Sequence, residues 1–253
     1  MTGRKLSHSI DACIIDLDGT LVDTLGDFEV ALNRMLAELQ LPPVARAFIE
    51  RSVGKGSEHL IRTMLAEQMR QADPTGGALG PNCCPATQPE ARYEQAWRSY
   101  QTHYLAINGQ FSSVYPGVVA GLQALADLGL HLVCLTNKPL AFAQPLLAAK
   151  GLAGFFRHVF GGDSFARKKP DPLPLIEACK ALGTAPSRTL MVGDSSNDAA
   201  AARAAGCPVV LMTYGYNHGE PVRGVDADGY ADTMTAVAAG LAAQRHNGPD
   251  TEG

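Results

Sequence analysis

Aromatic residues make up only 6% of this 253-residue chain, with a single tryptophan, and positive charge is not in excess: 21 lysines and arginines stand against 25 aspartates and glutamates. A net charge of -4 provides no broad basic field for a polyanion, which argues against a nucleic-acid partner. No apolar run approaches the roughly 20 residues that cross a bilayer, so no membrane partner is expected. The opening stretch Met1-Thr2-Gly3-Arg4-Lys5-Leu6-Ser7-His8-Ser9 is polar and runs straight into an apolar segment, leaving no room for a secretory core. Disulfide and zinc spacing are missing as well. The six cysteines (Cys13, Cys83, Cys84, Cys134, Cys179, Cys207) are scattered, and the adjacent Cys83-Cys84 has no further Cys or His at ligand spacing. It reads as a pair of plain loop thiols. These absences together lead us to expect a reduced, cytoplasmic protein, a monomer or small homo-oligomer.

What is present is an ordinary globular balance, 46% apolar and 18% charged, in a chain long enough for one large domain or a domain with an insert. Apolar runs at 10–15, 131–135, 158–160, 189–192 and 208–212 read as strands, and helical patterns lie between most of them. One helix carries Val118, Leu122, Leu125 and Leu128 and stops at Gly129; another opens with Pro139, carries Phe142 and Leu146, and stops at Gly151. Alternating strands and helices predict a parallel sheet with helices on its faces. The segment 25–108 breaks this alternation. Leu25, Phe28, Leu32, Met35 and Leu39 share one helical face, and Leu60, Ile61, Met64 and Leu65 share another with Ser57 as its N-cap. Tyr93, Trp97, Tyr100, Tyr104 and Ile107 form a third, read as helix-bundle core. Segment 73–90, rich in proline and glycine without an apolar period, reads as an exposed loop, and the polar tail 244–253 as frayed.

The chemistry concentrates in four short segments. Asp16-Leu17-Asp18-Gly19-Thr20 follows the first strand, and a spacing of two sends both acids to the same side at the strand's carboxyl end, where α/β sheets place ligands. The pair reads either as a nucleophile with a proton donor or as an ordinary acidic strand end. Thr136-Asn137, after a second strand, reads as a phosphate-oxygen donor or as a helix cap. Lys169, set before Pro170-Asp171-Pro172, is a candidate for stabilising a phosphoryl group, with Lys168 beside it. Gly193-Asp194-Ser195-Ser196-Asn197-Asp198 places Asp194 at a third strand end and Asp198 in a helix's first turn, where it either favours the helix dipole or orients Lys169 and metal water. Carboxylates and a carbonyl are the oxygen ligands a hard cation such as Mg²⁺ takes, with Asp194 an obvious further ligand.

In this order the four segments resemble the motifs of the haloacid dehalogenase superfamily. The resemblance implies an α/β fold, a Rossmann-like parallel sheet core with helices on both faces and an inserted all-helical cap. That corresponds to a discontinuous core, 1–24 and 109–253, and a cap over 25–108. It also implies Asp16 as nucleophile, Asp18 as general acid and base, Thr136 and Lys169 on the phosphoryl oxygens beside Gly19 and Asn137, and Asp198 in support. Mg²⁺ would be held by Asp16, the main-chain carbonyl of Asp18, and Asp194. An acid at Asp18 sets the chain apart from the superfamily's dehalogenases and ion pumps. The segments Thr136-Asn137-Lys138-Pro139 and Ala205-Gly206-Cys207-Pro208, with 211–220, are similar to those of its bacterial phosphoglycolate phosphatases. Hydrolysis of 2-phosphoglycolate through an aspartyl phosphate is the expectation this raises, with Lys55, in Val53-Gly54-Lys55-Gly56-Ser57, read either as meeting the substrate carboxylate or as a solvated turn residue. The competing readings are a phosphatase or phosphomutase for another small phosphate ester such as a sugar phosphate, and a regulatory domain phosphorylated on an acid.

Overall fold

The computed structural model describes residues 2–3, 9–72 and 89–246; Cys83-Cys84, nearly all of the expected 73–90 loop, and 247–253 lie outside the described residues. In chain order the strands are β1 (Thr2–Gly3), β2 (Ala12–Ile15), β3 (Val22–Asp23), β4 (Ser113–Val114), β5 (His131–Leu135), β6 (His158–Phe160), β7 (Thr189–Gly193), β8 (Val209–Met212) and β9 (Gly229–Ala231). The helices are α1 (Leu25–Glu38), α2 (Arg46–Ser52), α3 (Ser57–Ala72), α4 (Pro89–Ile107), α5 (Val118–Asp127), α6 (Leu140–Ala149), α7 (Leu173–Leu182), α8 (Ser196–Ala205) and α9 (Met234–His246). Among the described residues seven strands make the main sheet in the order β1-β9-β8-β7-β2-β5-β6, parallel except for β1, which runs antiparallel to β9. The expected parallel α/β architecture is present.

Strand β2 is central, with Ile15 level with Cys134 of β5 on one side and Val192 of β7 on the other. The period of two divides its side chains between two cores. Cys13 and Ile15 join Val118 and Leu122 of α5 and Leu241 of α9 on one face, while Ala12 and Ile14 join Leu175 of α7 and Ala202 of α8 on the other. Both faces are therefore covered, as strands this apolar require. Pro208, which has no N–H to give the ladder, stands just before β8 instead of opening it. The pairings of β3 with β4 and of β8 with β9 escape a sequence reading because strands of two or three residues show no period.

Helices α1 to α4 form a third core around Leu32, Met35, Ile61 and Tyr100. The aromatic face of α4 is inside it: Tyr100 and Tyr104 have ring centroids 5.4 Å apart, and Phe142 of α6 packs 4.9 Å from Tyr104. The chain enters these helices through β3 and leaves them through β4, which pair antiparallel at Val22–Val114. Ser57 corrects one expectation. It is the first residue of α3 and not its N-cap, because the carbonyl of Gly56, at φ +89°, accepts the first helical hydrogen bond from Leu60. The carboxyl end of the chain corrects another: Gln244 and Arg245, read as part of a frayed tail, belong to α9, where Arg245 donates to the Ile10 carbonyl at 2.8 Å.

Candidate active site

Strands β2, β5 and β7 all end at the same edge of the sheet, and their register brings Asp16, Thr136 and Asp194 together there. The N–H of Asp16 still donates to the Val192 carbonyl at 2.9 Å, so the ladder fixes its backbone before the side chain turns out. Lys169 reaches in from the loop before α7. Its ammonium lies 2.9 Å from Asp16 Oδ1, 2.7 Å from Asp198 Oδ1 and 2.9 Å from the Leu135 carbonyl. Burial works against its charge, but the two carboxylates outweigh it and hold the ammonium well above the ordinary lysine value.

Asp198 fills two roles that its sequence position left open. Its Oδ2 accepts from the Ser195 N–H at 3.2 Å and the Ser195 hydroxyl at 2.8 Å, closing the start of α8, while Oδ1 takes the Lys169 ammonium. Asp194 accepts from the Tyr216 N–H at 2.7 Å and the Thr20 hydroxyl at 3.3 Å. Gly19, at φ +82°, lies against this carboxylate so tightly that a Cβ would sit 2.2 Å from Asp194 Oδ2. Glycine at this turn makes room for the acid.

Asp16, Asp194 and Asp198 offer carboxylate oxygens within 4.8 Å of one another, the only such acidic group among the described residues. The donor set suits a hard cation. Asp16 Oδ1 is buried and makes no aligned hydrogen bond despite its nearness to Lys169. The short bridge from Asp18 to Val22 uses the Leu17 carbonyl and the Gly19 N–H and leaves the Asp18 carbonyl outside the pairing. Charge points the same way. Four buried carboxylates, Asp16, Asp18, Asp194 and Asp198, face two buried ammoniums, Lys138 and Lys169, a formal balance of 2 - 4 = -2 that a divalent cation would neutralise. Without one, burial pushes Asp16 up to about 7 and Asp194 well above the carboxylate range, the latter reinforced by Asp198 and Asp16.

Asp16, Asp18, Thr136, Asn137 and Lys138 line one side of a narrow, partly open cavity of about 20 Å³, roofed by Phe28, Val53, Gly56, Ser57 and Leu60 of the helical layer. That space holds about one water molecule. Thr136 is not the cap of α6: its hydroxyl accepts from the Lys138 N–H at 3.2 Å, while Asp163 caps the helix through the Leu140 N–H at 2.8 Å. Asn137 donates to the Gly54 carbonyl at 3.0 Å and the Lys169 carbonyl at 2.8 Å, so its amide joins the two layers. Asn197 donates to the same Gly54 carbonyl at 3.3 Å. Lys55 is placed otherwise: it is exposed and lines an open groove with His59, Arg62 and Lys168, a groove that also reaches Lys169 and Asn197. Its neighbours in the loop meet the cavity, and Lys55 does not.

The haloacid dehalogenase-like hydrolase profile matches residues 10–206, more than three quarters of the chain. The chain belongs to that family. A phosphoglycolate phosphatase of Thiobacillus denitrificans is 41% identical over 230 residues, 90% of this chain and 94% of the relative. The plasmid-borne phosphoglycolate phosphatase of Cupriavidus necator is 41% identical over 234 residues, 92% and 94% of the two chains. A solved structure from Haemophilus somnus, named a predicted phosphoglycolate phosphatase, superposes with a TM-score of 0.83 at 31% identity, covering 92% of this chain and 98% of that one.

One buried group of this hydrolase was not singled out from the sequence. Lys138 donates to both oxygens of Asp18, at 2.7 and 2.9 Å, and lies beneath the rings of Phe28 and Tyr104 at 4.3 and 5.0 Å from their centroids. Thr24 donates its hydroxyl to the same Asp18 Oδ1 at 2.8 Å. The signal available was a lysine directly after Thr136-Asn137 at a strand end, but its place before Pro139 also fits a helix start.

Proposed function

We propose that this chain is a Mg²⁺-dependent phosphatase hydrolysing 2-phosphoglycolate to glycolate and inorganic phosphate. The observation that carries the reading is Asp16: a buried carboxylate at the edge of the cavity, 2.9 Å from the buried Lys169 ammonium. The likeness to phosphoglycolate phosphatases over nine tenths of the chain supports the substrate. Asp16, Asp194 and the Asp18 carbonyl would hold Mg²⁺, which when bound supplies positive charge to the phosphoryl oxygens. Asp16 attacks phosphorus in line and forms an aspartyl phosphate. The bond to the ester oxygen breaks, and Asp18, oriented by Thr24 and Lys138, gives its proton to the departing glycolate. Water then attacks the aspartyl phosphate at phosphorus, Asp18 takes back a proton, and phosphate leaves with Asp16 restored. Lys169 and Thr136 hold the phosphoryl oxygens through both steps.

The segment 25–108 acts as a cap over the core of 1–24 and 109–253, and keeps bulk water out during transfer. Cys13, Cys134, Cys179 and Cys207 are buried free thiols, consistent with a reducing cytoplasm. The test is phosphate release with Mg²⁺ from 2-phosphoglycolate, several sugar phosphates and p-nitrophenyl phosphate, for wild type and Asp16→Asn. The expected result is a marked preference for phosphoglycolate and a loss of at least about 10³-fold in kcat in the variant. Turnover of the other esters with little on phosphoglycolate would discard the substrate, and undiminished turnover in Asp16→Asn would discard the nucleophile.

A further inference from the structure

The phosphate end of the cavity has Lys169 beside it, but the helical roof of Phe28, Val53, Gly56, Ser57 and Leu60 carries no charge. A substrate whose alcohol carries a carboxylate would bring a second anion under that roof, where an uncompensated charge is costly. Among the described residues lining the cavity, Lys138 is the only cation. It is 2% exposed, and its ammonium is positioned at the junction of the two layers by Asp18 from the core and by Phe28 and Tyr104 from the helices. An ammonium has three donors, so contact with Asp18 does not exhaust it. The start of α3 opens on the same cavity through Gly56 and the buried Ser57, and the first N–H groups of a helix attract an anion. Lys55 is exposed and lines the outer groove, not this cavity.

We infer that Lys138 is the specificity-determining residue of this site, its ammonium bridging Asp18 and the carboxylate of a short phosphate monoester. The inference rests on the phosphoglycolate reading and deepens it. The cation that orients the proton-transferring acid is also the one that recognises the substrate. Esters lacking the second anion leave Lys138 on Asp18 alone and lose the contact that seats them under the roof.

The experiment compares kcat/KM for 2-phosphoglycolate and 2-hydroxyethyl phosphate, which replaces the carboxylate by a hydroxymethyl group, in wild type, Lys138→Met, Lys138→Gln and Lys138→Arg. Thermal melting identifies which variants fold, and the neutral, polar Lys138→Gln serves if Lys138→Met does not. The expected result is a loss of at least about 30-fold on phosphoglycolate in the neutral variants, the cost of truncating one partner of a buried charge pair. Loss on 2-hydroxyethyl phosphate is several times smaller, and Lys138→Arg recovers part of the selectivity. Equal losses on both substrates, with wild type preferring phosphoglycolate, overturn this inference alone and leave Lys138 as a positioning residue for Asp18. A wild type indifferent between the two substrates overturns the phosphoglycolate reading and this inference with it.

Discussion

Lys169 is where the electrostatics of the site converge, since one ammonium compensates Asp16 and Asp198 together. Removing it leaves two buried carboxylates without a counter-charge, so Lys169→Met is expected to lower stability by about 3–5 kcal/mol, measured by urea unfolding in the absence of metal. A loss under about 1 kcal/mol would mean that the pair is open to solvent. Asp198 acts through Lys169, and Asp198→Asn should cost about 10–100-fold in activity or metal affinity, the range for groups that orient a site from behind. The raised carboxylates give a pH dependence with a definite sign. In the metal-free protein Asp16 lies at about 7 and Asp194 well above its ordinary value, so the folded state binds more protons than the unfolded chain. The stability they contribute is full below about pH 4, the ordinary carboxylate range, and is lost as pH rises through the folded values. A divalent cation competes for the deprotonated forms. Scanning calorimetry should therefore show a larger rise in Tm on adding Mg²⁺ at about pH 8 than at about pH 5.5; equal rises would argue that these acids do not bind it.

Among the elements, α4 shows how a repeat of aromatic residues becomes packing. Tyr104 is fully buried, its ring against Phe28, Tyr100 and Phe142, yet its hydroxyl has no hydrogen-bond partner. The ring and not the hydroxyl should carry its contribution. Tyr104→Ala is expected to cost about 3–5 kcal/mol. Tyr104→Phe should be neutral or stabilising, because it removes a polar atom buried without a partner. Chemical denaturation of both variants tests this, and a large cost for Tyr104→Phe would show a partner for the hydroxyl. The turn after β2 is the other sensitive element. At Gly19 a Cβ would meet both a left-handed backbone and the Asp194 carboxylate, so Gly19→Ala should displace that acid and weaken Mg²⁺ activation more than it lowers Tm.

At the scale of the molecule, the helical layer and the sheet edge meet over a narrow cavity, and lifting the helices would widen it for a phosphate ester. The Gly54 carbonyl, which accepts from both Asn137 and Asn197, is one polar contact that opposes lifting at the site. In Asn197→Ala, amide exchange in 53–57 should quicken while that of β2, β5 and β7 stays unchanged, since local opening and global unfolding are separate events. The order of strands and helices, the helical insert after Asp18, and the collection of Asp16, Thr136, Lys169 and Asp194 at one sheet edge were all legible in the chain. Periodicity and strand-end position are local properties, and the parallel register then brings strand ends together without further information. Strands of two or three residues were not legible, because so few positions carry no period. The partner of Asp18 was not legible either: Lys138 is 120 residues away along the chain, and nothing near it in sequence distinguishes a buried ammonium from one at a helix start. Lys55 and Lys138 are both lysines in loops beside glycine or proline, and the sequence favoured the one that faces solvent. Local sequence thus determined which chemistry this protein carries and which strand ends bear it. Only tertiary packing decided which lysine enters the cavity, because burial and pairing belong to the space between elements and not to any one of them.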